Sequence, residues 1–138
     1  MAIDYGRKRV GIAVTDDLQM ISSALTTVHS KDIMTFLKKY LSEENVETIV
    51  IGEPRQMNNT HSESEQFIRP FVKQLRKKYP QLKIERFDER FTSKMAFQTM
   101  IDSGIGKKAR QDKSTVDKIS ATIILQSYME SKKITGNH

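Results

Sequence analysis

The 138-residue sequence contains no cysteine, which excludes both a disulfide framework and any metal site built on thiolates. Its three histidines are scattered along the chain without the spacing of a helical zinc site, so zinc chemistry is not indicated. No apolar run approaches the roughly 20 residues that span a membrane, and no secretion signal opens the chain. These absences predict a soluble, cytoplasmic protein that does not partner a membrane.

The positive charge of the chain is concentrated in one part of it. The net charge is +6, but the segment 69–118 holds 14 basic and 6 acidic residues, a net of +8 that leaves −2 for the rest. A surface of this kind attracts polyanions through counterion release, although a solvated charged face is an equally good interpretation. The chain length suits one domain, and we expect residues 1–138 to form it.

Hydrophobic patterning predicts a mixed chain of strands and helices. Strand signals, mostly β-branched runs near turn residues, predict five strands, at residues 2–4, 10–15, 24–28, 48–51 and 82–87. Helical spacing predicts helices at residues 30–44, 62–79 and 92–104 and from Ser114 onward, and Ser62 with Glu65 has the spacing of a capping box. Residues 104–114 are expected to form a loop. This order predicts an α/β sheet with helices on its faces.

Three acidic positions are candidates for chemistry. Asp4 lies in a strand expected to be buried, where an unpaired carboxylate is costly, unless it instead binds the backbone of the following turn. Asp88 and Glu89 follow the last strand, where open α/β sheets place their sites, but surface charge is the alternative, and strand alternation does not decide which of them points inward. Asp117 lies on an apolar helix face, yet its spacing from Ser114 favours a capping role.

Four blocks of the sequence resemble the YqgF family, small RNase H-like nucleases that are similar to Holliday junction resolvases and are implicated in trimming precursor 16S ribosomal RNA. The blocks are the string DYGRKRVGIAVTD from Asp4; Ile51 and Gly52 followed by Pro54, Met57, Asn58 and Thr60; DERFTS from Asp88; and Asp117 with Ser120, Ala121, Ile124, Leu125 and Tyr128. They occur in the family's order over nearly the whole chain. The sequence departs from the family in a short segment before Asp4 and, after Gly52, in Glu53 and Arg55 where the family is usually apolar and in Asn59 in place of a common glycine. Glu53 is either a surface residue, which is the favoured interpretation, or an extra carboxylate of the site.

The resemblance implies an RNase H-like fold, a five-stranded mixed sheet of order 3-2-1-4-5 in which strand 2 is antiparallel and helices cover both faces. It implies that Asp4, Glu89 and Asp117 are the catalytic, metal-binding carboxylates, with Asp88 as second choice for the middle position. Such hard oxygen ligands suit Mg²⁺ or Mn²⁺, and two such ions can activate water and stabilise the leaving oxygen. The candidates for phosphate contacts are Lys8, Arg9, Arg90, Arg110 and Lys113.

The implied activity is metal-dependent phosphodiester hydrolysis, with the 5′ region of precursor 16S ribosomal RNA preferred as substrate over structured DNA. One alternative is a Holliday junction resolvase, which would act as a dimer, whereas a monomer is favoured here. Another is a ribosome-assembly factor that binds nucleic acid without cutting it, which needs the basic stretch but not three adjacent acids. An actin-like ATPase has a similar Asp4-x-Gly6 hairpin, but it needs a second lobe for which a 138-residue chain has no room.

Overall fold

A computed structural model describes residues 1–15, 22–54, 63–89 and 113–134. The strands are β1 (Ala2–Tyr5), β2 (Arg9–Thr15), β3 (Ser22–His29), β4 (Thr48–Glu53) and β5 (Lys83–Asp88). The helices are α1 (Ile33–Glu43), which follows a 3₁₀ turn at Ser30–Asp32, α2 (Glu65–Lys78) and α3 (Lys113–Ile134). The described part of the chain includes no helix that is both long and apolar enough to cross a membrane.

The five strands form one mixed sheet in the order β3-β2-β1-β4-β5. β2 is antiparallel to β1 and β3, whereas β4 is parallel to β1 and to β5. The predicted order 3-2-1-4-5 with an antiparallel second strand is therefore confirmed. The sequence of β4 is a nearly continuous apolar run because helices cover both faces of this central strand.

Helices cover both faces of the sheet, as predicted. One face, here called the α2 face, packs Ile3 and Ile51 against α1 and α2, which contribute Leu37, Ile68 and Leu75 to the same core. The opposite face, here called the α3 face, carries a smaller core of Ala2, Ala13, Val50, Ala121, Ile124 and Leu125. Since side chains alternate along a strand, Asp4 and position 52 belong to the α3 face.

The hairpin after β1 depends on a glycine. The backbone N–H of Gly6 donates to the carbonyl oxygen of Arg9 at 2.9 Å. A Cβ atom at position 6 would lie 2.6 Å from that same oxygen, too close for any side chain. The turn therefore requires glycine, and it places Lys8 and Arg9 at the end of the sheet where Asp4 lies.

Two local predictions were wrong. The capping box would place Glu65 in the third position of a helix capped by Ser62, but α2 begins at Glu65, whose side chain is buried, and Ser64 in the N-cap position makes no side-chain capping hydrogen bond. The expected loop at 104–114 ends earlier than predicted, because α3 already includes Lys113 and Ser114. The predicted helix at 92–104 and the rest of that loop lie outside the described residues. That residues 1–138 form a single domain stays a prediction.

Candidate active site at the carboxyl edge of the sheet

The carboxyl ends of β1, β4 and β5 meet at one edge of the sheet because these three strands are parallel. The register pairs Ile3 with Ile51 on β1 and β4, and Glu53 with Asp88 on β4 and β5. Asp4 and Gly52 are therefore neighbours along this edge, and Glu89 directly follows the end of β5 there. Open α/β sheets place their sites at this position.

Glu89 lies over Gly52, on the α3 face. A Cβ atom on Gly52 would be 3.1 Å from both Cδ and Oε2 of Glu89, and 2.8 Å from Cδ1 of Ile124 on α3. The absence of a side chain at position 52 is what leaves room for the Glu89 carboxylate beside the helix. Asp88, by contrast, is paired in register with Glu53, on the α2 face. The geometry favours Glu89 over Asp88 as the acid that faces Asp4.

The Glu89 carboxyl group has a strongly perturbed affinity for its proton. Its pKa is raised from 4.5 to about 7; burial is the largest cause, and the negative charge of Asp4 is the next. Asp88 and Glu65 contribute in the same direction, while the positive charge of Arg86 opposes them. Two carboxylates that repel each other in a partly buried place form a pair of hard oxygen donors that a divalent cation would stabilise. The donor set therefore fits Mg²⁺ or Mn²⁺.

Asp117 belongs to α3, but its side chain lies outside the described residues. Ala121 and Ile124, which follow it by one and two helical turns, are buried against the sheet. Ser114 lies within α3 and not before it, so the structure does not support the capping box that Ser114 would form with Asp117. Its role as third metal ligand stays a prediction. Among the described side chains, no group of three acids or histidines could hold a metal ion.

The predicted phosphate-binding residues are only partly described. Lys8 is exposed in the turn between β1 and β2, and Arg9 is half-buried at the start of β2, both at the edge that carries Asp4. Lys113 is the first residue of α3, but its side chain is not among those described, and Arg90 and Arg110 lie outside the described residues. The structure thus places two of the five predicted cations near the candidate site.

Sequence patterns missed a buried ion pair behind the site. The carboxylate of Glu65 on α2 accepts hydrogen bonds from Arg86 of β5, with Nη2 to Oε1 at 2.5 Å and Nη1 to Oε2 at 3.3 Å. Burial alone would raise the pKa of Glu65, but hydrogen bonds and charge from Arg86 and Arg69 hold it below its ordinary value. Glu53 lies 4.0 Å from Arg86, so the structure does not support the suggestion that it joins Asp4 and Glu89. The sequence did contain one signal for this ion pair: Arg86 occupies an inward-facing position of a predicted strand, and a buried charge needs a partner.

The sequence is similar to known proteins over nearly its full length. A family model described as "RuvX: Holliday junction resolvase" matches residues 1–131, which include all three candidate acids. Relatives from Phocaeicola vulgatus, Flavobacterium psychrophilum and Porphyromonas gingivalis are 58%, 56% and 52% identical over 133, 132 and 131 residues. The alignments cover 96%, 96% and 95% of this chain and the same shares of the relatives, each of which is named "Putative pre-16S rRNA nuclease".

Proposed function

Since this chain belongs to the RuvX family of Holliday junction resolvases, also called YqgF, we propose that it is a metal-dependent nuclease that trims the 5′ region of precursor 16S ribosomal RNA. The observation that carries the proposal is the pair of carboxylates, Asp4 and Glu89, at the carboxyl edge of the sheet, one of them with its pKa raised to about 7. A module that only binds nucleic acid has no use for two half-buried acids that repel each other. The names of the relatives support ribosomal RNA as substrate.

The side chains of Asp4, Glu89 and Asp117 would hold Mg²⁺ or Mn²⁺. When bound, the metal supplies a Lewis acid that activates the attacking water and stabilises the leaving oxygen. Gly52 leaves the space that the Glu89 carboxylate occupies, and Cδ1 of Ile124 on α3 lies on the same side of Gly52. Above about pH 7 Glu89 is deprotonated and available as a ligand, whereas below that pH its proton competes with the metal.

The choice of RNA over DNA must come from the surface around the carboxylates, because a phosphodiester site of this type does not itself distinguish ribose from deoxyribose. We propose that Lys8 and Arg9, together with Arg90, Arg110 and Lys113, contact the phosphates on the side of the candidate site. We further propose that a monomer acts in the cytoplasm. A single RNA strand needs one cut, whereas a four-way DNA junction needs two and calls for a dimer.

A parallel cleavage assay tests the proposed function. We expect the purified protein, with Mg²⁺ or Mn²⁺, to cut RNA that contains the precursor's 5′ extension faster than it resolves a four-way DNA junction at equal concentration and salt. Asp4→Asn serves as the control for contaminating nucleases and should be inactive on both substrates. Symmetric paired nicks across the junction by a stable dimer, with the RNA left intact, would instead identify a resolvase.

Salt dependence locates the RNA-binding surface. Binding to a single strand should weaken with a log–log slope of about −0.7 per contacted phosphate, so replacing Arg110 and Lys113 with glutamine should flatten the slope by about one to two units. A matched control is Lys73→Gln with Lys77→Gln, which removes the same charge from the exposed side of α2, behind the sheet. We expect that control to leave the slope unchanged, in filter-binding titrations done in EDTA. If the slope flattened only in the α2 variant, the RNA would bind the opposite side of the protein.

A further inference from the structure

The guanidinium group of Arg86 connects three elements directly behind the candidate site. Besides its two hydrogen bonds to Glu65 of α2, it donates from Nε to the carbonyl oxygen of Ile51 at 3.3 Å and from Nη2 to that of Gly52 at 3.0 Å. The Arg86 side chain is 17% exposed and that of Glu65 is 5% exposed. Arg86 thereby ties β5 to α2 and to the carboxyl end of β4.

The two carbonyl groups that Arg86 holds belong to the part of β4 on which Glu89 rests. Arg86 occupies the α2 face of the sheet, while Glu89 and Asp4 lie on the α3 face. Gly52 is common to both: its carbonyl oxygen accepts from Arg86, and its Cα faces the Glu89 carboxyl group. Any shift of Gly52 relative to β5 would therefore change the place of Glu89 beside Asp4.

An ion pair of this kind is a weak source of net stability. The desolvation of two buried charges offsets most of their attraction, and apolar side chains of similar volume can replace such pairs without loss of stability. What an apolar pair cannot reproduce is the planar fork of the guanidinium, whose donors reach one carboxylate and two carbonyl oxygens at once. The clearest consequence of the Glu65–Arg86 pair is geometric.

We propose that Arg86 is a positioning residue: anchored by Glu65, it fixes the carboxyl end of β4 against β5, so that Glu89 is seated over Gly52 and beside Asp4. This inference rests on the proposed function, in which Asp4 and Glu89 bind the metal ion. Arg86 itself contacts neither the metal nor the RNA. Its charge lowers the pKa of Glu89, and its positioning effect acts through the backbone of β4.

The test compares Arg86→Lys with the double variant Arg86→Met with Glu65→Met. The double variant keeps the volume of the pair and removes both charges, but the carbonyl groups of Ile51 and Gly52 lose the Arg86 donors, so its metal-free melting temperature should fall by about a few degrees while the protein stays folded. Its affinity for Mn²⁺, measured by electron paramagnetic resonance of the free ion, should fall by about 10- to 100-fold, as is usual when groups behind a metal ligand are removed. The kcat for RNA cleavage should fall with it while KM is unchanged. Arg86→Lys should show the same losses of Mn²⁺ affinity and kcat, because a lysine retains the charge but not the planar, forked arrangement of donors.

Arg76→Met is the matched control. Arg76 also reaches from α2 to a carbonyl oxygen of β5, that of Ile84 at 3.2 Å, but at the amino end of that strand. Its loss should leave Mn²⁺ affinity and kcat unchanged. If Arg76→Met weakened Mn²⁺ binding as much, the effect would reflect a general loosening of β5 and the inference would be overturned.

The remaining outcomes separate this inference from the proposed function. The positioning role would be overturned if the folded double variant kept full Mn²⁺ affinity and kcat. It would also be overturned if Arg86→Lys had the Mn²⁺ affinity and kcat of the unmodified protein. If the double variant did not fold, Glu65→Gln would replace it; a loss of Mn²⁺ affinity of about tenfold would support the role and no loss would overturn it. Failure of the unmodified protein to bind Mn²⁺ would contradict the proposed function itself.

Discussion

Glu89→Gln is expected to abolish cleavage while making the metal-free protein more stable above neutral pH. Because the pKa of Glu89 is about 7 in the folded protein against 4.5 ordinarily, the folded state binds this proton more tightly than the unfolded chain. Stability therefore falls as the pH rises from about 4.5 to about 7, and the full penalty is present above that range. Glutamine carries no charge and escapes the penalty, for an expected gain of about 1–3 kcal/mol.

The expected gain in stability comes from removing the charge of Glu89, so it should depend on pH. Burial and then the negative charge of Asp4 disfavour the charge on Glu89, Asp88 and Glu65 add to this, and Arg86 partly compensates. Urea unfolding in EDTA should show the gain at about pH 8 and almost none at about pH 4, where Glu89 is protonated in both states. Cleavage should fall by at least about 1,000-fold, since metal coordination contributes several kcal/mol to such reactions.

Asp88→Asn is the control for this prediction. Asp88 is the neighbouring acid and pairs in register with Glu53 on the other face of the sheet. We expect the Asp88→Asn variant to retain cleavage and to gain less stability than Glu89→Gln at about pH 8. Loss of cleavage in Asp88→Asn, with activity kept in Glu89→Gln, would transfer the middle carboxylate role to Asp88. An equal gain of stability at both pH values would show that the pKa of Glu89 is not raised.

Much of the fold could be predicted from the sequence because buried strands and helices leave strong periodic signals. The apolar run at 48–51 and the helical spacing around α2 both correspond to observed elements. β3 is longer than predicted, Ser22–His29 against 24–28, because the residues that extend it, Ser22, Ser23 and His29, are polar and add no apolar signal. The strand order came from the family resemblance, since periodicity locates strands but does not say which of them are neighbours.

The candidate site was less accessible to sequence reasoning because it depends on contacts between distant residues. Alternation could not choose between Asp88 and Glu89, as Glu89 lies just beyond the end of β5, and the space over Gly52 decides in its favour. Glu65 was assigned to a capping box because Ser-x-x-Glu is a common local pattern, whereas its actual partner, Arg86, is 21 residues away. Local spacing carries no information about such pairs.

The second large effect is expected from Gly52→Ala. The new methyl group would lie 2.8 Å from Cδ1 of Ile124 and 3.1 Å from Cδ and Oε2 of Glu89, so both side chains must move. Crowding of this kind in a packed region costs about 1–3 kcal/mol. Displacing Glu89 by a few tenths of an ångström from its place beside Asp4 should lower the cleavage rate by about tenfold, since misplacements of about 1 Å cost about 100-fold in other enzymes.

Combining Gly52→Ala with Ile124→Val separates the two contacts. Valine lacks the Cδ1 atom, so the 2.8 Å contact disappears while the 3.1 Å contact with Glu89 remains. We expect the double variant to regain much of the stability lost in Gly52→Ala, beyond the cost of about 0.5–1.5 kcal/mol that Ile124→Val has alone, yet to cleave no faster. Urea unfolding and single-turnover cleavage of the same preparations measure both quantities. If cleavage recovered together with stability, position 52 would need glycine because of its packing against α3. The position of the Glu89 carboxylate would then not be the reason.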